Sequence, residues 1–239
     1  MGETSIGGAL RKMKAEFRDM TFRQRVSYFF YYYKGAVLAV IVAGILLGSL
    51  IYDMSRPTTQ TLVNGMAVNV AQTQALQECL TDGMLDALGG TDPETQAANL
   101  SHATITDARG DADAVINNNY SELLTITAQV STGNLDYLLT DGAARDFLLT
   151  QGLFGDLSAQ LSPALLTQLA DVLVYQTSED GEDVPVAIDL TGTAFGQTFA
   201  GEDGTLYLGF PGNSTHSDRA EDVIGYLLAW EPGNFAEND

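Results

Sequence analysis

The chain has 239 residues, enough for one well-packed domain with an additional short segment but few for two full domains. Its formal net charge of −20 is unevenly distributed: residues 1–34 hold seven Lys/Arg and three Asp/Glu (+4), and residues 53–239 hold four Arg and 28 Asp/Glu (−24). The arginines of the acidic part stand singly in the sequence, which excludes the clustered cations that nucleic-acid binding requires.

Several catalytic classes are excluded by residues that the acidic part lacks. No lysine follows Lys34, which removes lysine-bearing phosphate loops and Schiff-base chemistry. Cys79 is the only cysteine, so neither an internal disulfide nor a cysteine-based zinc site can form. His102 and His216 are the only histidines, too few for a histidine-rich metal site. We therefore predict no cofactor, no metal site and no enzymatic activity.

The N-terminal part predicts a single membrane anchor. Residues 1–34 form a basic segment that ends in six aromatic residues and Lys34. Residues 35–52 carry no charge and would span ~27 Å as a helix. We predict a transmembrane helix over residues 35–53, with the N-terminus cytoplasmic because the cations precede the span, and the acidic part extracytoplasmic at the cell membrane. A cleaved signal peptide is the alternative, but the charged segment before the apolar run is long and no clear cleavage site follows it.

Two glycines in the predicted span suggest how membrane helices could pair. Gly44 and Gly48 have the four-residue spacing of small residues that lets two helices approach closely. A homodimer through Gly44 and Gly48 is one interpretation. The other is that the spacing arises by chance in an apolar helix.

Beyond a linker at residues 54–61, the pattern predicts one α/β domain at residues 62–230 and a tail at residues 231–239. Apolar strand-like runs alternate with helical patterns, which is typical of a mostly parallel sheet with covering helices. Strands are predicted at residues 62–70, 103–106, 135–140, 172–175, 184–190 and 205–210. Helices are predicted near residues 76–88, 120–127, 144–151, 163–169 and 218–228.

Local signals place three helix ends. Gly152 follows the third predicted helix, where a left-handed residue can end it. Ser162 followed by Pro163 is typical of a helix start. Asp218 with Glu221 has the spacing of a capping box for the last helix.

Two motifs have both a chemical and an ordinary interpretation. Ser214 and His216, near Asp218, resemble parts of a catalytic triad, but the second glycine of a nucleophile elbow is missing and a turn before the last helix is the favoured interpretation. Two acidic stretches, residues 107–113 and residues 179–183, could hold calcium. Neither follows the EF-hand order, which favours solvated surface charge.

Four segments resemble bacterial extracellular solute-binding proteins of ABC importers. They are LTITAQVSTGNLDYLLTD at residues 124–141, FLLTQGLFGDL at residues 147–157, VPVAID at residues 184–189 and the helical pattern of residues 213–228. Members of that family have two lobes around a closing cleft and well over 300 residues. The resemblance therefore implies a solute-binding fold reduced to about one lobe, here attached to a membrane anchor.

The general position of ligand sites in α/β sheets predicts where a ligand would bind. Open sheets bind ligands beyond the carboxyl ends of their strands. The candidate ligand-binding residues follow two predicted strands and are Thr140, Asp141, Gly142, Asp189, Thr191 and Gly192. Turn formation and helix capping are the alternative roles. Because carboxylates are abundant, a cationic or carbohydrate ligand is expected more than an anion.

Three functional hypotheses remain at this point. The first is a membrane-anchored extracytoplasmic binding or sensing domain that resembles a solute-binding lobe, has no catalysis and binds a small solute. The second is a structural or assembly protein of the cell envelope that acts through protein-protein contacts. The third, an exported enzyme, would use Ser214, His216 and an acidic partner.

Overall fold

The computed structural model describes residues 59–90, 92–93, 95–178 and 181–233, with Thr21, Leu38, residues 42–45 and residues 47–49. It divides the chain into two units, residues 1–57 and 58–239. In the first unit, Leu38 and the two short described stretches after it are helical and exposed. Among the described residues, no helix is long and apolar enough to span a membrane. The predicted anchor at residues 35–53 lies mostly outside the described residues and stays a prediction.

The second unit is built on one mixed six-stranded sheet. Its strands are β1 Gln60–Val68, β2 Gln96–Ala103, β3 Tyr137–Thr140, β4 Leu173–Thr177, β5 Asp183–Asp189 and β6 Tyr207–Gly209. Their order across the sheet is β2-β1-β3-β6-β5-β4. The α/β class is confirmed.

The prediction of a mostly parallel sheet was wrong. β1 pairs in parallel with β2 and β3, whereas the three pairs β3–β6, β6–β5 and β5–β4 are antiparallel. A short turn joins β4 to β5, and a connection this short can only make an antiparallel pair. A helix separates β5 from β6. The chain after that helix re-enters the sheet beside the last residue of β5, so β6 runs antiparallel to β5.

Helices cover both faces of the sheet. They are α1 Gln74–Glu78, a π-helical turn Cys79–Gly83, α2 Met84–Ala87, α3 Ala112–Asn118, α4 Tyr120–Ser131, α5 Gly142–Thr150, α6 Pro163–Gln168, α7 Ala194–Phe199 and α8 Ala220–Ala229, with 3-10 turns at Leu157–Ala159 and Ser217–Arg219. One core cluster joins α1, α2, α7 and α8 to one face, and a second joins α3, α4 and α5 to the other. Both faces of the sheet are therefore covered by helices. The apolar face predicted for α4 is only partly buried: Leu123 and Ile126 lie in the core, whereas Tyr120 and Leu124 are exposed.

Tyr137 illustrates how tightly the first cluster packs. It is fully buried and pairs with Gly65 of the neighbouring strand. A Cβ atom added to Gly65 would lie 2.1 Å from Cζ of the Tyr137 ring. The aromatic ring thus covers the space above the sheet that only a glycine leaves open.

The predicted helix ends had mixed outcomes. Gly152 follows α5 with a φ of 68°, as a left-handed helix end requires. Ser162 caps α6, with Pro163 as its first residue. The capping box was wrong: the Glu221 carboxylate accepts a hydrogen bond of 2.6 Å from the Ser162 backbone N–H instead, so Glu221 connects two helices rather than capping its own.

Two features were missed or displaced. β2 was predicted to begin at residue 103, where it ends, because the polar side chains of Asn99, Ser101 and His102 interrupt its apolar pattern at the sheet edge. The short helices α3 and α7 were not predicted.

Candidate functional site

The connections of β1 and β2 produce a crevice at one edge of the sheet. β1, β2 and β3 are parallel, so their carboxyl ends lie at the same edge. The chain leaves β1 toward the face covered by α1 and α2, and leaves β2 toward the opposite face covered by α3 and α4. Neighbouring strands whose connections diverge in this way form the crevice where open α/β sheets bind ligands.

A cleft of about 1100 Å³ lies at this edge. It is lined by residues 69–72 after β1, 102 and 103 at the end of β2, 104–110 after β2, 114, 115 and 118 of α3, 141 and 143 after β3, and 200–203 before β6. All three parallel strands therefore contribute to it, and the segment that precedes β6 closes one side.

Asn69 connects the three strand ends around the cleft. Its side-chain oxygen accepts a hydrogen bond of 2.8 Å from the Ile105 N–H, and its Nδ2 donates to the Ile105 carbonyl oxygen at 3.2 Å. Nδ2 also lies 3.4 Å from both carboxylate oxygens of Asp141. Its φ of 58° is left-handed, a conformation that asparagine tolerates better than most residues.

Asp141 combines a structural role with a place in the cleft. It is 4% exposed and caps α5 by accepting a hydrogen bond of 2.7 Å from the Ala144 N–H. Burial, together with the negative charge of Asp203, raises the pKa of the Asp141 carboxyl, although the bonds from Ala144 and Asn69 oppose the rise. The cleft therefore contains a carboxylate that is poorly solvated and has a second carboxylate nearby.

An ion pair crosses the cleft from its β2 side to its β6 side. Nη2 of Arg109 lies 3.1 Å from Oδ2 of Asp203. Burial raises the pKa of the Asp203 carboxyl, but hydrogen bonds from Thr205 and the charge of Arg109 outweigh that effect and lower it. Two positions before Arg109, Asp107 has a left-handed φ of 53°. Asn69 and Asp107 are the only non-glycine residues with positive φ in the described part of the chain, and both line the cleft.

Of the six predicted ligand-binding residues, Asp141 lines the cleft. Gly142 follows it and donates its N–H to the Thr205 hydroxyl at 2.9 Å, beside Asp203. Thr140 is fully buried, and no hydrogen-bond partner for its hydroxyl occurs among the described residues.

The second predicted group lies at the same edge but outside the cleft lining. The Asp189 carboxylate accepts a hydrogen bond of 2.8 Å from the Thr191 N–H, and the Thr191 hydroxyl accepts one of 3.1 Å from the Leu206 N–H. Gly192 has nothing within 4 Å of a Cβ built on it. Asp189 and Thr191 thus hold the turn after β5, which is the alternative role considered from the sequence.

The cleft residues that the sequence did not reveal are Asn69, Arg109 and Asp203. Asn69 directly follows β1, but the predicted strand ran to residue 70 and therefore included it, so the rule about carboxyl ends did not point to it. Arg109 and Asp203 stand in polar loops and meet only through the fold.

No group of three or more metal-ligating side chains occurs within the described ranges. Asp111, in the first of the acidic stretches considered for calcium, caps α3 by accepting bonds from Asp113 and Ala114 N–H groups. In the second stretch, residues 179 and 180 lie outside the described residues.

The triad-like motif does assemble with an acidic partner, but that partner is Asp136. The Ser214 hydroxyl donates to Oδ1 of Asp136, and Nδ1 of His216 lies 3.0 Å from Oδ2. Both side chains therefore contact the carboxylate and not each other, whereas a nucleophile must be bonded to its base. Asp136 immediately precedes β3. It therefore lies at the amino end of that strand, whereas the cleft lies at the carboxyl ends.

No family model, no curated protein and no solved structure matches the chain.

Proposed function

We propose that this chain is a membrane-anchored, extracytoplasmic binding domain that holds a small solute without catalysing a reaction. The observation that carries the proposal is the cleft where the connections of β1 and β2 diverge. Its volume of about 1100 Å³ can accommodate a small molecule, and polar groups converge on it from three strands. The resemblance to solute-binding proteins supports the same class of function.

The bonding of the polar side chains favours binding over catalysis. Asn69 and Asp141 are engaged in hydrogen bonds that hold the strand ends and α5 in place. Ser214 and His216 contact Asp136 at the opposite edge of the sheet, outside the cleft. A rigid set of polar groups around an open volume suits recognition of a ligand.

The apolar segment at residues 35–53 would keep this domain at the membrane surface. The cations before that segment favour an N-terminus in the cytoplasm and the acidic domain outside. A binding domain tethered there would capture solute close to the bilayer.

Ligand-dependent stabilisation of the full-length chain in detergent tests the proposal. Trp230 is the only tryptophan and packs against Phe195 and Phe199 in the core of the second unit, so its fluorescence reports the unfolding of that unit. A ligand at 100 times its Kd adds about 2.7 kcal/mol. Heating with sugars, peptides, amino acids and polyamines should identify at least one ligand that raises Tm.

A matched pair of variants would locate the binding. Ala114 and Ala112 both lie on α3, but only Ala114 lines the cleft. Ala114→Leu should fill part of the cleft and abolish the rise in Tm, whereas Ala112→Leu should retain it. A Tm unaffected by every compound would contradict the proposal.

A role in assembly of the envelope is the second candidate. Tyr120 and Leu124 lie one turn apart on α4, and they are 65% and 57% exposed. Paired apolar side chains on one helix face are suited to protein contacts. A flat Tm response, with copurification of a partner that Tyr120→Ser and Leu124→Ser abolish, would favour this role.

A further inference from the structure

Asp203 is a carboxylate held in position for a partner inside the cleft. Its Oδ1 accepts a hydrogen bond of 3.0 Å from the Thr205 N–H and a second one from the Thr205 hydroxyl. These two bonds orient the group and leave Oδ2 to Arg109. Because its pKa is lowered, Asp203 is ionised at neutral pH.

Arg109 provides the partner charge from the opposite side of the cleft. Its side chain is 73% exposed and that of Asp203 is 18% exposed, so the guanidinium reaches from solvent to a sheltered carboxylate. Such exposed ion pairs are weak. Another cation of suitable length could replace the guanidinium at little cost.

The charges around the cleft favour a positive ligand. Four carboxylates line it, those of Asp107, Asp141, Glu202 and Asp203, against the single guanidinium of Arg109. His102 does not change this balance, because burial lowers its pKa and favours the neutral imidazole. These carboxylates would stabilise an amine or guanidinium that leaves water to enter the cleft, and they would repel an anion.

The helix that starts at the cleft does not offer a site for an anion. The first turn of α5 would point its N–H groups toward the ligand, but the Asp141 carboxylate already accepts the bond from Ala144. The Gly142 N–H is bonded to the Thr205 hydroxyl. The backbone donors that could hold a phosphate or carboxylate are thus engaged.

We propose that the cleft binds a small organic cation with a primary amine or guanidinium group, that Asp203 receives this group, and that Arg109 occupies the same position when the ligand is absent. The inference rests on the proposed binding function and adds the chemical class of the ligand. Binding then exchanges one ion pair for another, so removing the Arg109 charge should tighten it.

Isothermal titration of the full-length chain with three probes tests the inference. Putrescine and agmatine are the cations, and 1,4-butanediol has the length of putrescine without its charges. Both cations should bind and the diol should give no heat. Asp203→Asn keeps an acceptor for Thr205 and should weaken the cations about tenfold or more, in the range measured when one partner of a charge pair is removed. Arg109→Gln should tighten them by roughly two- to fivefold.

Two variants control for overall charge. Asp222→Asn and Arg219→Gln change the net charge by the same amounts, but neither residue lines the cleft. Both should leave the Kd of the cations within about twofold. An equal effect of the control and cleft variants would show only long-range electrostatics and would overturn the inference.

The outcomes separate this inference from the proposed function. A neutral sugar that raises Tm, with no heat from putrescine or agmatine, would overturn the cation class and leave solute binding standing. Weaker cation binding by Arg109→Gln would overturn its role as a competing occupant. This second test does not depend on Asp203, so it decides the inference even if Asp203→Asn does not fold.

Discussion

Asp136 connects three separate parts of the chain through one buried carboxylate. It is 4% exposed, accepts a hydrogen bond of 2.7 Å from the Asn64 N–H, and contacts the side chains of Ser214 and His216. The start of β3, the middle of β1 and the loop before α8 are thereby held together. The triad-like motif of the sequence is thus part of a structural connection.

Replacing Asp136 by alanine should destabilise the second unit by about 2–4 kcal/mol, because the partly buried Asn64 N–H loses its acceptor along with the two side-chain contacts. Urea titration of the full-length chain at constant detergent, followed by Trp230 fluorescence, measures the change.

Ser214→Ala is the matched control. It removes the bond that the Ser214 hydroxyl donates to Asp136 and the bond of 3.0 Å that it accepts from the His216 N–H, but it leaves the carboxylate with its other partners, so about 1–2 kcal/mol is expected. A loss as large as that of Asp136→Ala would contradict the central position of the carboxylate.

At the scale of elements, the positions of strands were more predictable than their pairing. Alternating or continuous apolar residues mark β1 and β5 because these strands bury side chains against helices. Direction and order depend on distant partners: β6 has three residues and joins β3 to β5, a relation that no local pattern encodes. β2 was displaced because an edge strand does not need an apolar run.

The candidate site shows the same division. Asp141 could be predicted because it directly follows an apolar strand and caps the next helix, both of which are local signals. The Arg109–Asp203 pair joins residues 94 positions apart, so it becomes visible only once the strands are placed.

Close packing between β1 and β3 makes a testable prediction at this scale. Gly65→Ala places a Cβ atom against the buried Tyr137 ring, and overpacking of this kind costs about 1–3 kcal/mol. Gly225 lies on α8 with nothing within 4 Å of its Cβ position, so Gly225→Ala should stabilise by about 0.5–1 kcal/mol. Urea midpoints of the two variants should therefore move in opposite directions, and a Gly65→Ala midpoint equal to that of the parent chain would contradict the described contact.

At the scale of the whole molecule, the two ends of the chain differ in the sign of their net charge. The N-terminal 34 residues are basic, and the part beyond the apolar segment carries 28 acids against four arginines. Exposed apolar side chains at Leu38, Ile45 and Leu47 follow the basic segment. In the predicted topology these side chains contact lipid. Gly44 and Gly48, which have no described residue within 4 Å of their Cβ positions, would then face a second helix.

The predicted attachment to the membrane can be tested directly. Most of the full-length chain should stay in the membrane fraction after alkaline carbonate extraction, and deletion of residues 35–53 should release it, because the apolar segment supplies the insertion energy. Deletion of residues 1–20, which lie before the span, is the control and should not release it. A protease site inserted at Gly181, in the exposed turn between β4 and β5, should be cleaved from outside intact spheroplasts; cleavage only after lysis would contradict the topology.

The late position of β6 in the chain constrains how the domain can fold during synthesis. β2, β1 and β3 can pair with one another as soon as residue 140 is available, and β4 and β5 form their own hairpin, but only β6, near residue 209, joins the two parts. Until then β3 and β5 each present an open strand edge. The sheet therefore closes only after residue 209 has been synthesised or translocated, and a chain stalled earlier would expose strand edges that favour aggregation.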